Sequence, residues 1–182
     1  MVAIQRPATE SRAKIAAAGG AGQTDAMTTT ISVSRAIAAP ADHVWSLIAD
    51  LPRMGEWSPE NTGGTWLKGA TGPAVGARFK GSNAKDKHKW NTAVRVTTCD
   101  PGRAFAFDVS AVGARVANWA YVIEPTDDGC LVTETWTDQR GWLAAKLGGP
   151  VSGVAERVAH NRAGMEATLE ALAATAESRP DR

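Results

Sequence analysis

The chain has 182 residues and a formal net charge of +1, with its charged residues spread along the sequence. This length suits one domain with a sizeable hydrophobic core, and this charge gives no electrostatic argument for binding nucleic acid or an anionic membrane. No apolar run approaches the ~20 residues that cross a bilayer, so we expect no membrane insertion.

Cysteine and histidine are too few and too scattered for a structural zinc site. Neither Cys99 nor Cys130 belongs to a CxxC pair, which fits reduced thiols. The sequence therefore indicates a cytoplasmic protein with no metal and no cofactor. It leaves the oligomeric state open.

The first 28 residues are rich in Ala, Gly, Ser, Thr and Gln and have no apolar period, which predicts a disordered or weakly ordered tail. Two other interpretations stay open. Translation can start at Met27, because an alternating strand begins just after it, or a short helix at 10–18 can dock on the domain. We expect the folded domain at 29–178 and a short C-terminal tail at 179–182.

A strand and two short helices open the predicted domain. Apolar residues alternate with small or polar ones over 31–37, the period of a half-buried strand. Pro40 is well placed near a helix start, and Val44, Leu47 and Ile48 give that helix an apolar face. A second short helix is predicted at 52–57.

The middle of the chain reads as a series of strands separated by Gly, Pro and Asp turns. The predicted strands lie at 62–67, 77–81, 90–98, 105–109, 116–123 and 131–137. Between the second and third of these, the polar and basic stretch 82–89 is interpreted as a solvated hairpin loop. Short connections of this kind favour antiparallel neighbours.

The longest periodic segment is 151–177. Its apolar residues recur at helical spacing and fall on one face of a helix, namely Val151, Val154, Val158, Met165, Leu169 and Leu172. A linker at 141–153, with a helix-like piece at 142–147, precedes it. We therefore predict an α+β fold in which a curved antiparallel sheet of about seven strands surrounds a long C-terminal helix, with two short helices after the first strand.

This order of elements, together with particular residues, resembles the polyketide cyclase/dehydrase branch of the START-like (SRPBCC) superfamily, which has the helix-grip fold. The residues that carry the resemblance are Pro40 with Val44-Trp45, Asp50, Trp57-Ser58-Pro59, Val96, Asp100-Pro101-Gly102, Phe105, Trp119-Ala-Tyr121, Pro125, Asp128-Gly129, Val132, Met165 and Leu169. The resemblance implies a deep apolar cavity between sheet and helix. Superfamily members bind or carry lipids, sterols or polyketides, cyclise aromatic polyketides, or act as coenzyme-Q chaperones and toxin-like partners.

The expected cavity lining is largely aromatic, and the seven tryptophans of the chain fit it. From the strands we expect Trp90, Phe105, Phe107, Trp119, Tyr121 and Trp136. From the C-terminal helix we expect Val158 and Met165 in the wall, with Asn161 and Arg162 flanking the apolar stripe where the wall turns polar.

Glu134 is the carboxylate of greatest interest, because it shares a strand face with Val132 and Trp136. If that face lines the cavity, an apolar environment raises the pKa of Glu134 and makes it an acid or hydrogen-bond donor. The alternatives are an exposed Glu134 or an ion pair with Arg95 or Arg115.

Arg95 and Tyr121 are the other weak candidates for catalysis, and no catalytic residue is assigned. Arg95 could orient a carboxyl or enolate group, or form an outward ion pair across strands. Trp90 and Arg95 lie on opposite strand faces, so they cannot both line one cavity. His160 lies about 200° from the helical stripe, which argues against a role as a cavity base.

Three functions remain: a carrier of a small hydrophobic ligand such as a lipid, polyketide or quinone; a polyketide cyclase/dehydrase; and a protein-partner module. A cavity well above the size of a water molecule supports the first two, and a filled core supports the third. Two ionisable side chains within hydrogen-bond reach inside the cavity favour the enzyme.

Overall fold

The computed structural model describes residues 29–140 and 156–178. The predicted tails at 1–28 and 179–182, the linker at 141–153 with its helix-like piece, and Val151 and Val154 lie outside these residues. The elements are β1 Thr30–Ile37, α1 Ala41–Ala49, a 3-10 helix Leu51–Glu56, β2 Asn61–Leu67, β3 Arg78–Lys85, β4 His88–Asp100, β5 Ala104–Ala111, β6 Ala114–Thr126, β7 Gly129–Asp138 and α2 Arg157–Glu177.

The seven strands form one antiparallel sheet in the order β1-β7-β6-β5-β4-β3-β2. Consecutive strands from β2 to β7 pair directly, because each connection is short enough to reverse the chain at once. β1 pairs with β7, which brings the two ends of the domain together. The predicted α+β helix-grip fold with about seven strands is confirmed.

Within the sheet, the structure differs from the sequence prediction mainly at the basic stretch 82–89. It was predicted as a hairpin loop, but β3 continues to Lys85 and β4 begins at His88, so only Asp86 and Lys87 form the turn. Asp86 has a positive φ of 51°, as the tight two-residue turns of hairpins require. The residues here are polar on both faces of the strands, so they show no hydrophobic alternation from which a strand could be predicted.

The core lies between the inner sheet face and α2. Helix residues Met165, Leu169 and Leu172 are buried against the sheet, as their spacing predicts. The inner face of β7 is buried at alternate positions, including Val132 and Glu134. No helix within the described parts of the chain combines the length and the apolar character needed to cross a membrane.

The two ends of the sheet differ. At one end, α1 packs near the start of β5, and the indole Nε1 of Trp45 donates a hydrogen bond to the carbonyl oxygen of Ala104 at 3.0 Å. We call the opposite end, which carries the turns Asp86-Lys87 and Val112-Gly113, the hairpin end. The first turn of α2 also lies there, because Arg157 contacts Glu60 just before β2.

Candidate functional site

A cavity of about 570 Å³ lies between the inner sheet face and α2 and extends to the hairpin end. Strands β2 to β7 form one wall and α2 forms the other. Apolar side chains dominate the lining, and the polar ones concentrate at its two ends. A large apolar cavity with few polar groups is the usual form of a small-molecule site.

At the inner end, Tyr121 and Glu134 face each other across β6 and β7. The Tyr121 hydroxyl donates a hydrogen bond to Oε1 of Glu134 at 2.8 Å. Both residues are almost completely buried, with 3% and 2% of their surface exposed. Oε2 of Glu134 is buried and has no hydrogen-bond partner among the described residues. The carboxyl group therefore has one oxygen satisfied and one available.

Burial raises the pKa of Glu134 to about 8, and the hydrogen bond from Tyr121 offsets only part of this effect. The pKa of Tyr121 also lies well above its usual value, because of burial first and the nearby Glu134 carboxyl second. Glu134 is therefore mostly protonated at neutral pH. Since Tyr121 already donates to Oε1, the acid proton belongs on Oε2, where it can be donated to a ligand.

Aromatic rings form the middle of the cavity. Trp119 and Trp136 are cross-strand neighbours on β6 and β7, and their ring centroids lie 6.5 Å apart at 52°. Phe107 and Trp90 extend this surface across β5 and β4. These rings offer a flat apolar surface for the body of a ligand.

The helix wall carries two buried polar residues, Asn161 and Thr168. No side-chain hydrogen bond joins Asn161 to another residue in the described parts of the chain. Its amide atoms are not among the fully enclosed side-chain atoms that lack a partner, and the residue borders the cavity. Asn161 therefore offers a second hydrogen-bonding group to a ligand.

A charged cluster closes the helix side of the cavity at the hairpin end. Glu60 accepts hydrogen bonds from Nη1 of Arg157 at 3.2 and 3.3 Å and lies 2.6 Å from Nε2 of His160. Arg140 forms a two-pronged ion pair with Asp138, at 2.9 and 2.6 Å. These charges are mutually neutralised and leave the inner cavity apolar.

His160 does not line the cavity, in agreement with its angle on the helix, but it is not simply exposed to solvent. The first turn of α2 packs beside the segment before β2, so the side of the helix away from the sheet also meets protein there. No sequence pattern indicates this pairing, because Glu60 and His160 are 100 residues apart.

The structure places seven of the predicted site residues around the cavity: Trp90, Phe107, Trp119, Tyr121, Glu134, Trp136 and Asn161. Sequence patterns did not indicate the polar lining residues contributed by neighbouring segments, among them Ser58, Glu60, Asn61, Asn83, Arg140, Arg157 and Thr168. Most of these residues lie at or near the ends of helices and strands, where no periodic pattern predicts which side chains face the cavity.

Four predicted lining residues lie elsewhere. Phe105 is fully buried beneath the cavity against Trp45, at a ring distance of 6.4 Å. Met165 is buried in the core beside Ile31 and Trp136. Val158 and Arg162 are exposed, because they lie near the start of α2 and on its outer side.

Arg95 lies on the outer sheet face and is exposed, on the opposite side of β4 from Val94. It therefore cannot contact a ligand in the cavity. Arg115 pairs with Asp108 at 3.2 Å. Neither arginine pairs with Glu134, so the interpretation of Glu134 as an ion-pair partner of one of them is wrong.

A family model described as "Polyketide cyclase / dehydrase and lipid transport" matches residues 28–177. The chain belongs to this family. The resemblance drawn from the sequence is thereby confirmed. No curated protein matches the chain.

Solved structures of similar fold include a Polyketide_cyc-like protein from Corynebacterium glutamicum, which is 29% identical, with a TM-score of 0.55 over 84% of this chain and 91% of its own. The di-domain ARO/CYC protein StfQ of the steffimycin biosynthetic pathway is 14% identical, with a TM-score of 0.66 over 84% of this chain. Only 51% of StfQ is covered, so this chain spans about half of that protein. A major latex-like protein from Panax ginseng is 11% identical, with a TM-score of 0.61 over 82% of this chain and 97% of its own.

Proposed function

We propose that this protein binds a small hydrophobic molecule that carries an oxygen acceptor, with its apolar body against the tryptophans and its acceptor at Glu134. The observation that carries the proposal is an apolar cavity of about 570 Å³ with one protonated, unsatisfied acid at its inner end. This volume falls within the range of ~300–1,000 Å³ that is usual for ligand pockets. The partner-module hypothesis requires a filled core, whereas this fold contains a cavity.

The buried, protonated Glu134 at the inner end of the cavity favours a ligand group there that is an uncharged oxygen acceptor. A ligand carboxylate next to buried Glu134 would place two acidic groups together. The repulsion between their negative charges disfavours ionisation of either group. A ketone, quinone or ether oxygen accepts the Glu134 proton without adding charge. A lipid, polyketide or quinone-like molecule with such a group fits this description.

A second candidate function is a polyketide cyclase/dehydrase, and the Tyr121–Glu134 pair favours it. Two ionisable groups lie within hydrogen-bond reach inside the cavity. Glu134 could donate its proton to a hydroxyl that leaves as water, and the carboxylate so formed could accept a proton from the adjacent carbon as the double bond forms. Tyr121 would hold the carboxyl group in position throughout this exchange.

The compartment in this proposal is the cytoplasm, which the two unpaired cysteines support. The proposal involves no nucleic acid, metal or cofactor. Its partner is the small hydrophobic molecule alone.

Extraction of the purified protein with organic solvent, together with native mass spectrometry, tests the proposal. We expect a co-purified small molecule, or stoichiometric binding of emodin, an aromatic polyketide quinone, measured by quenching of tryptophan fluorescence. Glu134→Leu should weaken emodin binding at least tenfold, whereas Glu134→Gln, which keeps a donor, should lose less. A clean protein that binds neither emodin nor a panel of lipids and quinones would refute ligand binding.

A further inference from the structure

The turn between β5 and β6 is apolar, exposed and strained. Val112 and Gly113 both have positive φ, at 51° and 79°. Asn-Gly or Asp-Gly is the usual pair in such a turn, and a β-branched residue with positive φ is a genuine outlier. Val112 is fully exposed, so no packing within the protein compensates for the strain. An outlier of this kind points to a function for the exposed side chain.

A basic tip lies at the same end of the sheet. Connections in an antiparallel meander alternate between its two ends, so the turn after β3 and the turn after β5 share the hairpin end. Three lysines surround the first of these turns, Lys85, Lys87 and Lys89, against the single acid Asp86. None of the three forms an ion pair within the described parts of the chain.

Most acidic residues where the cavity reaches the hairpin end form ion pairs. Glu60 pairs with Arg157, and Asp138 pairs with Arg140. Glu156, at the start of α2, is exposed and remains as a further negative charge at this end. The β3–β4 tip itself carries three lysines against Asp86, a local charge of +2, and this tip is the part of the hairpin end that can attract anionic lipid.

The cavity extends to both the Val112-Gly113 turn and the basic tip. Its lining includes Val112 and its neighbours Ala111 and Ala114, and also Trp90 beside the basic tip. Tryptophan with basic residues around a small apolar projection is the composition of a surface that lies at a membrane interface. A ligand that dissolves in a bilayer would reach the cavity by this route.

We propose that the hairpin end docks on the surface of an anionic lipid bilayer. Val112 enters the boundary between headgroups and acyl chains, and the three lysines contact lipid phosphates. The protein lies on the membrane and does not span it. The link from docking to ligand uptake rests on the proposed function, whereas docking itself does not.

Flotation of the full chain with vesicles of phosphatidylcholine and phosphatidylglycerol (70:30) at 0.1 M salt tests docking, with pure phosphatidylcholine vesicles as the comparison. We expect binding to the anionic vesicles that falls at high salt. Val112→Asp should weaken it at least tenfold. The double change Lys87→Gln with Lys89→Gln removes two charges, each contributing about fivefold near an anionic surface, so a loss of roughly 25-fold is expected.

The opposite end of the sheet supplies matched controls. Val75 is exposed and Lys68 lies in a turn, both in the β2–β3 connection away from the hairpin end. Val75→Asp and Lys68→Gln should leave vesicle binding unchanged. Equal losses in these variants, or no vesicle binding by the unaltered protein, would overturn the proposal. So would salt-sensitive vesicle binding that is unchanged in Val112→Asp, since the apolar tip would then take no part in docking.

Emodin binding without vesicles separates docking from ligand binding. The double variant Lys87→Gln with Lys89→Gln should bind emodin as the unaltered protein does, because neither lysine lines the cavity. Vesicle binding without any emodin or lipid binding would support docking and refute the proposed function. Loss of both vesicle and emodin binding in this double variant would refute the assignment of the two lysines to docking alone.

Discussion

Replacing Glu134 with Gln should change how the stability of the protein depends on pH. In the folded protein, burial raises the pKa of Glu134 from 4.5 to about 8. The folded state therefore holds this proton more tightly than the unfolded chain does. Stability from this source is complete below pH 4.5 and is lost as the pH rises through 8. Gln stays neutral at every pH, so the variant lacks this loss.

The size of the effect follows from the two pKa values. Each pKa unit corresponds to about 1.4 kcal/mol, so the interval from 4.5 to about 8 corresponds to roughly 5 kcal/mol once both states are ionised. This is a large part of the ~5–15 kcal/mol that typically stabilises a domain. The unaltered protein should therefore lose stability relative to Glu134→Gln between pH 5 and pH 9.

Urea unfolding followed by tryptophan fluorescence, at intervals from pH 5 to pH 9, measures this difference. Subtracting the curve of Glu134→Gln from that of the unaltered protein removes the contribution of the other titrating groups. Glu124→Gln is the matched control, because Glu124 is an exposed carboxylate on β6. Parallel curves for the unaltered protein and Glu134→Gln would refute a buried, protonated Glu134.

Two further predictions concern the cavity and the sheet. Tyr121→Phe removes the hydrogen bond that lowers the pKa of Glu134, so that pKa should rise further, as measured by carbon NMR of the labelled carboxyl group; a lower or unchanged value would contradict the assigned bond. Gly64→Ala would place a Cβ in steric clash with the carbonyl oxygen of Lys80 and 2.5 Å from the Phe79 ring, so it should destabilise the protein by about 1–3 kcal/mol. Gly72→Ala, which meets nothing within 4 Å, should stay within about 0.5 kcal/mol in the same urea unfolding experiment, and equal losses would contradict the steric argument.

Alternation along the strands predicted which side chains point inward. A strand places successive side chains on opposite faces, so the burial of Val132 and Trp136 determines the direction of Glu134 between them. The same rule separates Trp90 from Arg95 on β4. The fold was predictable for a related reason, since the strand periods, the turn residues and the C-terminal apolar stripe all indicate one arrangement.

The surroundings of α2 were less predictable. A helical wheel gives directions around the helix axis but not the length over which the helix covers the sheet. Val158 lies at an angle suited to the stripe and is nevertheless exposed, because it precedes the buried stretch that begins at Asn161. His160 points away from the stripe and still meets Glu60, because a second segment flanks the helix there.

Strand direction also does not show where a core ends and a cavity begins. Phe105 and Phe107 share one face of β5, but only Phe107 lines the cavity. The difference comes from Trp45 on α1, which packs against Phe105 from 60 residues earlier in the chain. The more informative sequence signal is a polar residue within an apolar stripe, as at Glu134, or beside one, as at Asn161. A buried polar atom without a partner, such as Oε2 of Glu134, costs about 1–3 kcal/mol, and a densely packed core would favour an apolar residue at such a position. Both positions border the cavity, where a ligand can supply the missing partner.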